Sequence, residues 1–191
     1  MSGENMTTKK EGTIFMNENS ARDEFEKYLK KWTIVNNRFG NGVDVGCGTS
    51  RIDSMITSID QQPNYQFAHA QFVWNCHDLE LFNNGVLDFI FSSHCLEDFE
   101  DIPTVFMNWW RKLKIGGAML LLLPDMENGR YPKVGQPNGN PSHKTDVGKN
   151  YIIGMLNGFQ SRELIKYELL QCDTIPHNVS SSIDFAIKKL F

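Results

Sequence analysis

The alternation of short apolar runs with helical segments constrains the fold of this chain more than any other feature of its sequence. The apolar runs predict strands at residues 43–45, 58–60, 71–75, 87–93 and 118–123. Apolar side chains at spacings of three and four residues predict helical segments over residues 21–32 and 96–114, the second stopped by Gly116 and Gly117. Strands that alternate with helices are typical of a parallel α/β sheet.

The chain changes character after the last of these strands. Residues 125–150 are rich in Asn, Gly, Pro, Lys and His and have almost no apolar period, which favours a functional loop on the substrate side. Residues 1–18 are polar and predict a flexible N-terminal arm. A chain of 191 residues usually forms one core, so we expect a single domain over residues 1–191.

The remaining segments predict short elements. Residues 50–57 are expected to form a brief helical or irregular crossover between the first two strands. The C-terminal part predicts helical pieces at 151–156 and 161–165, and final strands at 166–174 and 183–188. A polar turn at 177–182 joins the two final strands.

Composition argues against several classes of function. Acidic residues number 23 against 19 Lys and Arg, so the net charge of −4 provides no basic surface for nucleic acid. The longest apolar run, residues 118–124, is far shorter than the roughly 20 residues of a membrane helix. The N-terminus lacks the apolar core of a signal peptide. We expect a cytoplasmic monomer or homodimer that neither binds nucleic acid nor inserts into a membrane.

The cysteines are expected to be reduced thiols. Cys47, Cys76, Cys95 and Cys172 lie far apart and form no CxxC pair. The spacing of Cys76, His77, His94 and Cys95 does not match a zinc site, so no metal is expected.

A glycine-rich turn and an acidic residue follow the first two strands. Gly46 and Gly48 would let a ligand approach the backbone where the first strand ends. Asp60 closes the second strand, where a carboxylate can accept hydrogen bonds from two ribose hydroxyls. Arg51 occupies the place of the third glycine of a dinucleotide fingerprint, so a nucleoside without pyrophosphate is favoured. A tight turn with Asp60 as a simple cap is the alternative.

These residues belong to an ordered series of motifs. The series is VDVGCGT at 43–49, SIDQQP at 58–63, CHDL at 76–79, LDFIFSSHCLE at 87–97 and LKIGGAMLLLLPD at 113–125. It resembles the class I S-adenosylmethionine-dependent methyltransferases. The resemblance implies a Rossmann-like α/β fold: a mostly parallel sheet with an antiparallel C-terminal strand and helices on both faces. Tyr131-Pro132 and the run 140–146 further resemble a subgroup from bacterial surface-polysaccharide gene sets.

The resemblance implies S-adenosyl-L-methionine as the cofactor and assigns residues to it. The implied cofactor site consists of Asp44, Gly46, Cys47, Gly48, Asp60, Gln61, Asp78, Leu79 and Ser93. The glycine turn with Cys47 would line the methionine moiety, and Asp60 would bind the ribose. Gln61 would lie at the adenine rim and Asp78 at the adenine amino group.

Two of these residues have alternative roles. Leu79 would contact the adenine face or provide an adjacent backbone contact. Asp44 would order the turn or face the cofactor ammonium group.

Methyl transfer needs in-line positioning and, for a hydroxyl or ammonium acceptor, a base. His143 is the first candidate, because the nearby carboxylate of Asp146 can orient an imidazole and raise its basicity. His94 is a second candidate, and Lys144 could neutralise an anionic acceptor. The alternatives are a solvated loop for residues 143–146 and a loop-stabilising histidine at position 94.

Two other features have simple structural interpretations. The acidic run over residues 97–101 is expected to solvate a helix start. Trp109 and Trp110 are expected to pack in the core.

Three functions remain open from the sequence. The first is methyl transfer to a small molecule such as a sugar or sugar nucleotide, which the acidic net charge favours. The second is methylation of a protein or RNA with the help of a partner. The third is a catalytically silent module that binds S-adenosylmethionine.

Overall fold

The computed structural model describes residues 40–49, 51–61, 70–128, 131–176 and 181–191. The predicted arm over residues 1–18 and the predicted helix over 21–32 lie outside the described residues. No helix in the described ranges is both long and apolar enough to cross a membrane.

The described part of the chain is built on one seven-stranded sheet. Its strands are β1 (Gly42–Val45), β2 (Thr57–Asp60), β3 (Phe72–Val73), β4 (Leu87–Ser93), β5 (Leu113–Pro124), β6 (Tyr167–Pro176) and β7 (Ser181–Lys189). The strand order is β3-β2-β1-β4-β5-β7-β6. The sequence thus predicted every strand, although β3 is shorter and β5 longer than expected.

The five neighbouring strands β3, β2, β1, β4 and β5 pair in parallel, and β7 is antiparallel to both of its neighbours. In the centre of the sheet, Val45 pairs with Ile59 of β2 on one side and with Ser92 of β4 on the other. This register brings the carboxyl ends of β1, β2 and β4 to one edge of the sheet. The expected mostly parallel sheet with an antiparallel C-terminal strand is confirmed.

Helices follow β4 and precede β6. A 3-10 turn, Leu96–Asp98, comes first, then α1 (Ile102–Lys112) and, after the long loop, α2 (Lys149–Ser161). The side chain of Asp101 accepts a hydrogen bond from the Thr104 N–H and so caps α1. The crossover residues 51–56 are irregular, one of the two forms expected for them.

Three predicted helical boundaries were wrong. The segment predicted as helix over 96–114 is split between the 3-10 turn and α1. Gly116 and Gly117 lie within β5 and stop no helix, because β5 already pairs with β4 at Leu113. Residues 162–165 are not helical, since α2 ends at Ser161.

The core lies on both faces of the sheet. On one face, α1 and α2 pack through Trp109, Phe106 and Leu156 against strand residues that include Val45 and Leu121. The other face forms a smaller cluster, in which Ile52 and Ile56 of the crossover pack with Phe89, Phe91 and Leu120. Trp109 and Trp110 are buried, as expected for core residues.

The start of α2 depends on a side chain from the preceding loop. Its N-cap, Gly148, has no side chain to satisfy the first N–H groups of the helix. Glu127 does so from the end of β5, accepting hydrogen bonds from Asn150 N at 2.9 Å and Tyr151 N at 2.8 Å. A Cβ on Gly148 would overlap the Glu127 side chain, so glycine is required for this contact.

We predict that Glu127→Ala lowers the free energy of unfolding by about 1 kcal/mol, the usual cost of losing an N-cap. Urea unfolding followed by circular dichroism measures the change. The matched control is Glu100→Ala, which removes an exposed carboxylate and should alter stability by less than about 0.5 kcal/mol. Equal losses in the two variants would contradict the capping role.

Candidate active site

The turn after β1 is held against β2 by its backbone. Gly46 N donates to Ile59 O at 2.8 Å, and Gly48 N donates to Asp60 Oδ2 at 2.9 Å. Both glycines have positive φ, +72° and +53°, where other residues are strained. The glycine turn and Asp60, which the sequence placed in one binding site, are therefore in direct contact.

The two glycines differ in their surroundings. A Cβ on Gly46 would overlap the side chain of Cys95, so close packing of β1 on the end of β4 requires a glycine there. Among the residues that the structure describes, a Cβ on Gly48 would meet no heavy atom within 4 Å. With respect to these residues Gly48 therefore faces open space, which a ligand can occupy.

Asp44 stabilises the crossover behind the turn. Its Oδ2 accepts a hydrogen bond from Ile52 N at 3.0 Å, and burial raises the pKa of this carboxyl to about 7. Of the two roles expected for Asp44, the structure supports the ordering of the turn. Arg51 adds to this order, since its guanidinium donates to the backbone oxygens of Ser54 and Ile56.

The segment after β3 forms the rim of the same edge. Asp78 is half-buried, and its Oδ1 accepts from Glu80 N at 3.2 Å. Leu79 has φ +52° and its side chain is fully buried in the core, so only a backbone contact to a ligand fits its position. Gln61 is exposed. Trp109 of α1 secures the segment by donating to Cys76 O at 2.7 Å.

The cysteines of this region are buried thiols. Burial raises the pKa of Cys47 to about 12, with Asp44 and Asp60 adding to the shift. The pKa of Cys95 is also raised well above its usual value, first by a hydrogen bond with Cys76 and then by burial. These groups are protonated at neutral pH and serve packing rather than nucleophilic chemistry.

Beyond β4, two histidines converge on one buried carboxylate. Ser93 is half-buried at the end of the strand, and His94 follows with φ +50°. Glu97 is 0% exposed, and its Oε1 lies 3.4 Å from His94 Nδ1 and 3.4 Å from His143 Nε2. Within the described residues, neither carboxylate oxygen of Glu97 and neither ring nitrogen of His143 has a hydrogen bond.

The loop after β5 is anchored to the turn that carries Glu97. Lys144 N and Thr145 N donate to Glu97 O at 2.9 and 3.1 Å, and the Thr145 hydroxyl donates to Phe99 O. The Tyr131 ring stacks on His94 and on His143, with centroid distances of 6.1 and 5.6 Å. These contacts bring loop residues to the edge of the sheet that carries the glycine turn.

Burial shifts the protonation of this cluster. It lowers the pKa of His143, against the opposing charge of Glu97, so this imidazole is neutral at pH 7. Burial, together with the Glu97 charge, raises the pKa of Asp98 to about 7. The pKa of Tyr131 rises to about 12 for the same two reasons. Among the described residues, no group of three or more His, Cys, Asp or Glu side chains is arranged to hold a metal ion.

A family model described as a methyltransferase domain matches residues 43–121, from β1 through most of β5. Over these residues the chain resembles a methyltransferase domain, as the sequence motifs indicated. No curated protein sequence matches the chain.

Solved structures share the fold of this chain at low sequence identity. The 1,6-didemethyltoxoflavin-N1-methyltransferase of Burkholderia thailandensis, with its substrate and S-adenosylhomocysteine bound, is 12% identical, with a TM-score of 0.65 over 92% of this chain and 80% of that chain. The [4+2]-cyclase SpnF is 11% identical, with a TM-score of 0.66 over 94% and 85%. A Haloferax volcanii putative methyltransferase, in complex with the Trm112 methyltransferase activator, is 12% identical, with a TM-score of 0.57 over 91% and 94%.

The structure differs from the sequence prediction in the carboxylate nearest to His143. Asp146 is exposed, its Oδ1 accepts from Val134 N at 2.7 Å, and within the described ranges it forms no ion pair with His143, although its charge raises the pKa of that imidazole as expected. Glu97 takes its place, although the sequence suggested only a solvated helix start for residues 97–101. That interpretation holds for the capping residue Asp101 and is wrong for Glu97. The one available signal was the spacing of three residues from His94.

We predict that Gly46→Ala destabilises the domain more than Gly48→Ala. Both changes place a side chain at positive φ, which costs about 1 kcal/mol, but only the first also forces a Cβ into Cys95, at roughly 1–3 kcal/mol more. Urea unfolding of the two variants measures the difference. A smaller loss for Gly46→Ala than for Gly48→Ala would show that the Cys95 contact does not constrain the turn.

Proposed function

We propose that this chain is a methyltransferase that uses S-adenosyl-L-methionine, bound at the carboxyl ends of β1, β2 and β4. The observation that carries the proposal is the hydrogen bond from Gly48 N to Asp60 Oδ2 beside open space at Gly48. This hydrogen bond joins the glycine turn to the acidic residue that closes β2, the two motifs that would bind a nucleoside with a short polar tail. A carboxylate has about four acceptor positions, so Asp60 can hold the turn and accept ribose hydroxyls as well.

The other positions of this edge suit the parts of the cofactor. Cys47 with the two glycines lines the methionine moiety, and Ser93 lies at the end of β4 beside the same turn. Gln61 is exposed at the adenine rim, and the half-buried Asp78 is placed for the adenine amino group. Leu79 contributes through its backbone.

The acceptor in this proposal is a small molecule with a hydroxyl group, such as a sugar or sugar nucleotide. His143 lies in the loop after β5, where it is buried and neutral, and so is suited to accept a proton. The acceptor oxygen bonds to the methyl carbon as the sulfur–methyl bond breaks, S-adenosylhomocysteine leaves, and the hydroxyl proton goes to His143. The exposed ammonium of Lys144 can meet a phosphate or carboxylate elsewhere on the acceptor. The methyltransferase from Burkholderia thailandensis is precedent for a small-molecule substrate on this fold.

Two other functions have specific support. The complex of a putative methyltransferase with the Trm112 activator is precedent for an enzyme of this fold that works with a partner, as methylation of a protein or RNA by this chain would require. The [4+2]-cyclase SpnF shows that a protein of this fold can carry another activity, which favours a domain that binds the cofactor without transferring its methyl group. Methyl transfer to a small molecule by the chain alone would support the first proposal and contradict both alternatives.

We predict that S-adenosylhomocysteine binds the chain, with a signal by isothermal titration calorimetry at high micromolar concentrations or below. Asp60→Ala should weaken this binding at least about tenfold, or roughly 1.4 kcal/mol, because ribose hydroxyls and the Gly48 turn lose their acceptor.

The matched control is Asp173→Ala, which removes an exposed carboxylate on β6 and should leave the affinity unchanged. Absence of binding by the unmodified chain would refute the cofactor assignment. An unchanged affinity in Asp60→Ala would remove Asp60 from the ribose site.

We predict that a screen of sugars and sugar nucleotides with S-adenosylmethionine gives methylated product, and that His143→Ala lowers kcat at least about 100-fold, as expected for loss of a general base. Mass spectrometry of the products measures transfer. The control is His77→Ala, a histidine whose ring lies at the rim against Phe99. Equal turnover by His143→Ala and the unmodified chain would remove His143 from the mechanism.

A further inference from the structure

We propose that Glu97 is a positioning residue that holds His143 in the tautomer needed to accept the acceptor's proton, and that it shares its carboxylate with His94. This inference deepens the proposed methyl transfer and rests on it. His94, Glu97 and His143 form a histidine–glutamate cluster.

The geometry centres on a single oxygen. Oε1 of Glu97 lies 3.4 Å from Nδ1 of His94 and 3.4 Å from Nε2 of His143. Neither contact has the geometry of a hydrogen bond, but a carboxylate oxygen at 3.4 Å repels the lone pair of an unprotonated nitrogen and attracts an N–H group. We therefore place Nε2–H of His143 toward Glu97 and leave Nδ1 unprotonated. That nitrogen is buried and makes no hydrogen bond within the described residues, so no described protein group competes with a ligand for it.

Burial makes this arrangement energetically consequential. The side chains of Glu97 and His143 are 0% and 1% exposed, and a buried carboxylate is costly unless a donor or a positive charge compensates it. The other charged and titratable groups around the cluster are Asp98, Tyr131, Lys144 and Asp146. Asp98 is acidic and Tyr131 is neutral, so neither supplies a positive charge. The side chains of Lys144 and Asp146 are exposed. The N–H dipoles of the two imidazoles are thus the nearest groups that can stabilise the Glu97 carboxylate.

The same residue also sets the position of the loop. Glu97 O accepts the backbone N–H groups of Lys144 and Thr145, which directly follow His143. Tyr131 stacks on both imidazoles and limits the rotation of their rings. Glu97 thereby determines both where His143 lies and which of its nitrogens is free.

The chemical step follows from this tautomer. The acceptor O–H bond breaks and its proton goes to Nδ1 of His143, while the oxygen bonds to the methyl carbon and the sulfur–methyl bond breaks. The imidazolium that forms keeps Nε2–H on Glu97, so the new positive charge lies beside a carboxylate. His94 competes for the same oxygen, and protonation of one imidazole therefore disfavours protonation of the other.

The test is an NMR titration of the histidine ring nitrogens in the full chain. We expect His143 in the Nε2–H form in the unmodified protein. Glu97→Gln keeps the shape of the side chain and removes its charge, so the pKa of His143 should fall by about one unit or more. The matched control, Glu100→Gln, removes an exposed charge nearby and should leave this pKa unchanged. An Nδ1–H form of His143, or an unchanged pKa in Glu97→Gln, would overturn the proposal.

A second variant keeps the proposal testable should Glu97→Gln not fold. His94→Gln removes the competing imidazole, so the pKa of His143 should rise; an unchanged value would overturn the shared carboxylate. Calorimetry with S-adenosylhomocysteine on the same samples distinguishes failure of the proposed function from failure of the role proposed for Glu97. Loss of binding by the unmodified chain refutes the proposed function alone, whereas intact binding with uncoupled histidines refutes the role of Glu97 alone.

Discussion

The parallel pairing of β1 between β2 and β4 is the constraint on which the rest of the structure depends. Parallel strands end at the same edge of a sheet, and the register of Val45 with Ile59 and Ser92 aligns three such ends. The backbone groups that leave the sheet there have only each other, or nearby side chains, as hydrogen-bond partners. The bond from Gly48 N to Asp60 Oδ2 is the direct consequence, because it joins the turn after β1 to the last residue of the neighbouring β2.

The second organising feature is the concentration of buried polar groups at this edge. Asp44 and Glu97 are almost inaccessible to solvent, yet neither is paired with a Lys or Arg side chain in the described part of the chain. Asp44 is compensated by a backbone N–H and by a pKa raised to about 7, and Glu97 lies between two imidazoles. Polar groups buried in this way cost stability and persist where they bind or react, which fits a site at the carboxyl edge of the sheet.

The sequence predicted most of the fold because periodicity reports burial directly. Apolar runs such as residues 87–93 occur where a strand is covered on both faces, and the bounds of this strand were predicted correctly. The helical boundaries failed where tertiary pairing overrides local preference: Gly116 and Gly117 suggest a helix stop, but β5 already pairs with β4 from Leu113 onward. The N-cap of α2 was equally invisible, since Glu127 lies far from it along the chain.

The sequence by itself determined the succession of strands along the chain, the glycine turn and the acidic residue that ends the second strand, because these depend on neighbours in the chain. The tertiary structure alone decided the partner of His143. Asp146 is three residues away and was the natural expectation, but its carboxylate is exposed and bonded to Val134 N. Glu97, on another element, lies 3.4 Å from the imidazole because the loop folds back onto the turn after β4. Which charge meets His143 in this buried site is set by packing across the fold, because the two residues are far apart along the chain.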